Sequence, residues 1–247
     1  MQLAGRVILV TGAAHRVGRA IALELAQAGA HLVIHYHTAA DAAAETAAAV
    51  RAGGGRALAQ PADLAQPEQI AALFAQIAAE FGTLDGLVNS ASVMEAGDAL
   101  TLPRAAWQRA LDLNLTAPFL CAQHAARLML AKPDPAEAGV IVNIVDGSAF
   151  RPWAGYPAHT VSKAGLAALT PVLAKAWAPR LRVNAVAPGP VERPAATDPA
   201  AWEQLARKTL LKRSGSGYDV ARAVRFLIEN DYVTGETLVV DGGDRFR

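Results

Sequence analysis

The chain has 247 residues, 53% of them hydrophobic and 18% charged, with a formal net charge of +1. That length is enough for one filled core, and without a Lys/Arg-rich run the sequence lacks the electrostatic footprint of a nucleic-acid or membrane-surface binder, so a small molecule is the expected partner. The single cysteine, Cys121, makes no internal disulfide, no apolar run approaches the roughly 20 residues that span a bilayer, and the chain runs early into Val7-Ile8-Leu9-Val10 without a signal-peptide layout, so a cytoplasmic protein is expected.

In chain order, β-branched runs predict strands over Arg6–Thr11, His31–His35, Gly86–Asn89, Gly139–Val145, Arg182–Ala187 and Thr237–Val240, with a weaker pattern over Ala57–Gln60. Helical periodicity between them predicts helices at Arg16–Ala28, Ala39–Ala52, Pro67–Phe81, Arg104–Ala131, Ala158–Ala178, Trp202–Leu211 and Asp219–Glu229. Parallel strands need right-handed crossovers and cover on both faces, so this alternation predicts α/β architecture: one doubly wound domain over 1–247, with a parallel sheet of about seven strands and helices on both sides. Gly53-Gly54-Gly55 reads as a helix stop, Pro133-Asp134-Pro135 as a surface loop, and Pro190, Pro194 and Pro199 mark Pro190–Asp198 as irregular chain.

Thr11-Gly12-Ala13-Ala14-His15-Arg16-Val17-Gly18 follows the first strand and opens the first helix. Small residues there let backbone N–H groups and a helix N-terminus approach a pyrophosphate, although the same turn also serves as a plain strand-to-helix connection. The turn resembles the Thr-Gly-x-x-x-Gly-x-Gly motif of classical short-chain dehydrogenases/reductases, and Arg16 in place of the middle glycine resembles their pteridine reductase branch. At the end of the second strand, where NAD-preferring Rossmann proteins carry an acid, stands His35-Tyr36-His37-Thr38. Lack of an acid favours NADP(H) over NAD(H), with Arg16, His37 and Thr38 as candidate phosphate contacts, while His35 and Tyr36 read as packed strand residues. Pteridine reductases follow a similar His-Tyr-His with Arg-Ser, so one cation of that pattern is missing here.

The resemblance continues along the chain and covers essentially its whole length. It implies cofactor contacts at Asp63 and Leu64 of Ala62-Asp63-Leu64, although Asp63 alone reads as an ordinary helix N-cap. It implies the same for Asn89, Ser90 and Ala91 of Asn89-Ser90-Ala91-Ser92, and for Pro188 and Gly189, which open a mobile substrate loop and helix over 188–212. Val239-Val240-Asp241-Gly242-Gly243 closes the series, and Glu192 and Arg193 read as a solvated pair.

In this family a Tyr four residues before a Lys protonates the substrate, and that spacing puts both on one helix face. A Ser thirteen residues before the Tyr, or an Asp in pteridine reductases, and an Asn on a preceding helix complete the site. Lys163, Asp146 and Asn114 match this pattern, which implies ribose binding and tuning of the proton donor by Lys163, proton chemistry at Asp146 and a relay role for Asn114. The tyrosine position holds His159. Three readings stay open: His159 is the general acid, with Asp146 orienting it; Tyr156 swings its hydroxyl into the gap; or catalysis has been lost and binding kept. Asp146 otherwise reads as a loop cap.

Where pteridine reductases stack a Phe on the pterin, this chain has Met94, which packs softly but offers no π-face. Ser92, Met94, Trp153 and Tyr156 are the candidate substrate contacts, Trp153 also reading as a loop anchor. The six histidines show no metal-ligand spacing, so no metal is expected, and Cys121 on an apolar helix reads as core. The expected function is NADPH-dependent reduction of a C=O or C=N group, with a pterin as one substrate class. The alternative is a catalytically weak NADP(H)- or pterin-binding regulator. The resemblance further implies a homotetramer.

Overall fold

The computed structural model describes residues 1–132, 134, 139–193 and 197–246. Pro133 and Pro135 of the expected surface loop, and Pro194 of the expected irregular stretch, lie outside them. The seven strands are β1 (Val7–Val10), β2 (His31–Tyr36), β3 (Ala57–Pro61), β4 (Gly86–Asn89), β5 (Gly139–Ile144), β6 (Leu181–Pro188) and β7 (Thr237–Val240). They form one sheet in the order β3-β2-β1-β4-β5-β6-β7, every pairing parallel. Helices are α1 (Arg16–Gln27), α2 (Ala40–Ala52), α3 (Pro67–Phe81), α4 (Arg104–Leu111), α5 (Ala117–Leu130), α6 (Pro157–Trp177), α7 (Pro199–Lys208) and α8 (Gly217–Glu229).

Strand periodicity of two sorts the core into two layers. Ile8, Val10, Leu32, Ile34, Val140 and Val142 face α1 and α8, while Val7, Leu9, Val33, Leu87 and Ile141 face α3 and α5. Each fully buried Leu, Ile or Val contributes about 1.5–3 kcal/mol, and the central strands are buried on both faces. The chain reverses its direction of travel across the sheet between β1 and β4, which opens a crevice at the carboxyl ends of the strands.

Three helices differ from expectation. The helix predicted over Arg104–Ala131 is two helices joined by a π-turn at Asp112–Thr116. Pro118 has no N–H to give the carbonyl of Asn114, so the regular ladder is interrupted there and the helix widens. The element predicted at Trp202–Leu211 starts earlier, because the Asp198 side chain caps the N–H of Ala201 with Pro199 in the first turn. Ser216 and Asp219 form a capping box that starts α8 at Gly217.

Candidate active site

A cleft of about 900 Å³ runs along the carboxyl edge of the sheet. Gly12, His15, Arg16, Val17, Gly18, His37, Asp63 and Leu64 line one end, Ser90, Ala91, Ser92 and Met94 the middle, and Asp146, His159 and Lys163 the other end.

At the first end the backbone is shaped for close approach. Gly12 has φ +66°, and a Cβ on Gly18 would lie 2.3 Å from the Gly12 carbonyl oxygen. Arg16 occupies the left-handed region at φ +50°, where the family pattern has glycine. His15 makes no side-chain cap to α1, so the N–H groups of the first turn remain for an anion. Two side chains hold this end together. Thr11 Oγ accepts from the N–H groups of Ser90 and Ala91 at 2.9 and 3.0 Å. His35 Nδ1 accepts from Gly12 N–H at 3.0 Å, and its Nε2 therefore donates to the Ala62 carbonyl at 3.0 Å. His35 thus braces the glycine turn against the Ala62–Leu64 segment, a larger role than the packed strand residue expected.

Other expectations at this end fare differently. Asp63 Oδ1 caps the N–H of Ala65, a turn rather than the start of α3, whose N-cap is Gln66. Thr38 is exposed and does not line the cleft. Asn89 is buried and points into the sheet, its Nδ2 donating to Asn143 Oδ1 at 2.9 Å and Pro118 O at 3.3 Å. Pro188 and Gly189 do not line the cleft, and a Cβ on Gly189 would meet Asp241 Cα at 2.7 Å. Glu192 is not paired with Arg193. It meets Arg16, whose Nη2 donates to the Glu192 carbonyl at 2.9 Å and whose Nε lies 3.6 Å from Oε2.

At the second end, α6 carries His159 and Lys163 on one face, and the loop after β5 carries Asp146. His159 Nε2 lies 2.5 Å from Asp146 Oδ2, and Nδ1 lies 3.0 Å from the Val93 carbonyl. Asp146 Oδ1 also accepts from Ser148 N–H at 2.9 Å and Ser148 Oγ at 2.5 Å. Burial acts to raise the Asp146 carboxyl, but the hydrogen bond and charge of His159, with Lys163 and Ser148, outweigh it and hold the group below the usual carboxylate range. Lys163 is fully buried, its Nζ donating to Ile144 O at 2.8 Å; burial pushes it down to about 8, against the opposing pull of Asp146.

Asn114 sits in the π-turn with every polar position used. Its Oδ1 accepts from Val93 N–H at 2.8 Å and Ser92 Oγ at 3.1 Å, and its Nδ2 donates to Val93 O at 2.9 Å and Ser162 Oγ at 3.0 Å. In this geometry the Asn114 side chain is a bracket for Val93, and through it for the His159 ring. Trp153 and Tyr156 do not line the cleft: the Trp153 indole lies behind His159, nearly parallel to it with centroids 6.1 Å apart, and meets the edge of Tyr156 at 6.2 Å. Sequence reasoning gives Thr11 only as the first residue of the turn motif and His35 only as a packed strand residue, and it misses Ser148, Ser162 and the Val93 carbonyl; of these three only Ser162 carries a signal, as the polar neighbour of Lys163.

The family described as Enoyl-(Acyl carrier protein) reductase matches residues 12–244. The chain is 35% identical over 248 residues to 3beta-hydroxysteroid dehydrogenase 1 of Eggerthella lenta, covering 98% of this chain and 94% of that protein. It is likewise 35% identical over 245 residues to a 3-oxoacyl-[acyl-carrier-protein] reductase of Synechocystis sp., covering 98% and 97%. Among solved structures, FolM Alternative dihydrofolate reductase 1 from Brucella canis, complexed with NADP, superposes with a TM-score of 0.93 at 32% identity, covering 100% of this chain and 96% of that one.

Proposed function

The chain belongs to the short-chain dehydrogenase/reductase family of oxidoreductases, and on that premise we propose that it reduces a C=O or C=N group of a small molecule with NADPH. The observation that carries this reading is one continuous cleft with an anion-ready turn at one end and Lys163, Asp146 and His159 at the other. The residues fit the cofactor: Gly12 and Gly18 let the turn pack tightly on itself and on Ala91, where any Cβ would meet backbone, and the first turn of α1 offers uncapped N–H groups. The cofactor supplies the hydride. Arg16 and His37 would hold a 2′-phosphate in place of the missing acid, which favours NADP(H) over NAD(H), and the NADP bound to the Brucella canis relative is in keeping with this. Asp63 and Leu64 would take the adenine and Lys163 the ribose.

A pterin is the substrate class supported by Asp146, Arg16 and the likeness to a dihydrofolate reductase; Met94, without a π-face, argues for a looser clamp than a stacked ring. A second reading, an NADP(H)- or pterin-binding regulator with little turnover, is favoured by His159 at the tyrosine position, since both its ring nitrogens are already engaged. NADPH oxidation by the parent and by His159→Tyr on one panel of dihydropterins and small carbonyl compounds separates them. The parent is expected to turn over, with no gain from Tyr. Turnover by the Tyr variant alone leaves the regulator standing, and none from either rejects the reductase. The assembly is a cytoplasmic homotetramer in this reading, supported by exposed Val161 and Val172 on α6; light scattering that shows only monomer at micromolar concentration rejects it.

A further inference from the structure

His159 and Asp146 share a proton, and the directions of their hydrogen bonds decide which of them gives it away. Both ring nitrogens of His159 face acceptors, the Val93 carbonyl at 3.0 Å and Asp146 Oδ2 at 2.5 Å. That pattern is satisfied by an imidazolium against a carboxylate, or by a neutral ring with its N–H on Val93 and a carboxyl O–H on Nε2. In either form one proton lies between Nε2 and Oδ2, and neither nitrogen is left for a substrate. The ring is also locked: Asn114 holds the Val93 carbonyl, and Trp153 lies against one face. Asp146 is different. A carboxylate has about four lone-pair sites; among the described residues Ser148 N–H, Ser148 Oγ and His159 take three, and one on Oδ2 stays open. Both side chains line the cleft, but that of Asp146 is 16% exposed against 4% for His159.

We propose that Asp146, and not His159, hands the proton to the substrate, with His159 behind it as the store that loads the carboxyl; this rests on the reductase reading above. In this scheme the resting proton sits on Nε2, directed at Oδ2 2.5 Å away. The charged groups that share this part of the cleft wall are Lys163 on α6, Glu95 after β4, Arg109 on α4 and Asp112 in the π-turn, of which Glu95 and Arg109 bond each other at 2.9 Å.

When a bound cofactor would give its hydride to the substrate carbon, the Nε2–H bond breaks and an Oδ2–H bond forms. Rotation about Cγ–Oδ2 presents that proton to the open side, where it passes to the substrate oxygen or nitrogen. One hydride and one proton have then left, the substrate double bond is single, and the pair remains as neutral imidazole and carboxylate. Its Nε2 lone pair now faces a charged oxygen, and a proton from solvent relieves that repulsion and resets the pair.

The test crosses two variants with pH, on the same panel with NADPH. Asp146→Asn is expected to lower kcat by about 10²–10⁴-fold at every pH, with KM for NADPH little changed. His159→Asn is expected to be weak at pH 7.5 but to gain about tenfold per pH unit as the pH falls toward the carboxylate range, because the carboxyl is then loaded directly from solvent. The reverse pattern, His159→Asn inert at every pH while Asp146→Asn keeps a tenth or more of parental kcat, overturns the proposal. If no panel member turns over, the reductase reading has failed, and the shared proton is judged on the cofactor-free protein. With ¹⁵N-histidine labelling at pH 7, a strongly deshielded proton coupled to His159 Nε2, lost in Asp146→Asn, is the expected signature. A bare Nε2 in the parent overturns the proposal.

Discussion

Each end of the cleft is organised by a buried histidine with both ring nitrogens bonded, and the two do opposite things. His35 meets one donor, Gly12 N–H, and one acceptor, Ala62 O, which fixes a neutral ring. His159 meets two acceptors, and the bond to Asp146 needs a proton. Burial pushes His35 down to about 4, with His37 adding to that shift and the bond to Ala62 opposing it. The lesson is that the partner set, and not the residue type or its burial, separates a histidine that braces from one that handles protons.

The contrast breaks most visibly at Lys163. Lys163→Met is expected to cut kcat/KM by about 10³-fold or more while leaving the melting temperature of the cofactor-free protein unchanged or higher, since the variant no longer buries an ammonium whose hydrogen bond is to Ile144 O. NADPH oxidation and a thermal scan read the two effects, and a marked fall in melting temperature would contradict the account. His35→Ala should do the opposite. It orphans Gly12 N–H and Ala62 O, at a cost of about 2–4 kcal/mol or roughly 5–10 °C in Tm, and should weaken NADPH binding about tenfold while sparing kcat at saturation; an unaltered Tm would remove His35 from its bracing role.

A finer comparison uses pH. Because the folded value of His35 lies below its ordinary 6.5, the unfolded chain binds more protons between about 6.5 and about 4. The stability this neutral ring contributes is complete above 6.5 and is lost as pH falls toward 4, an effect of roughly 3 kcal/mol. Urea midpoints across that window should therefore fall more steeply in the parent than in His35→Leu, and parallel curves would refute it. The smallest effect is expected at Arg16. Arg16→Gly relieves the left-handed backbone by about 1 kcal/mol and loosens NADP(H) more than NAD(H); calorimetric titration with both cofactors checks the difference.

Much of this arrangement was legible in the chain. Strand runs and helical periods carried the order of elements because both faces of the sheet are buried, so periodicity and burial agree throughout Val7–Val10 and Gly139–Ile144. The interruption at Asn114 was also written in the sequence, as Pro118 four residues on. The thirteen-residue offset drew attention to Asp146 and His159, but which nitrogen faces which oxygen depends on Val93, a backbone carbonyl 66 positions from His159 that leaves no mark in composition. The bracing role of His35 is hidden for the same reason: its partners lie 23 and 27 positions away, and a strand residue reads alike whether its ring packs or bonds.

Trp153, stacked nearly parallel to the imidazole at 6.1 Å, gives the proton-sharing pair an optical voice. A charged imidazolium beside an excited indole quenches its emission, whereas the neutral ring does so far less. Every change in the charge state of His159 should therefore appear as a change in the ultraviolet fluorescence of one tryptophan, without dye, isotope or substrate.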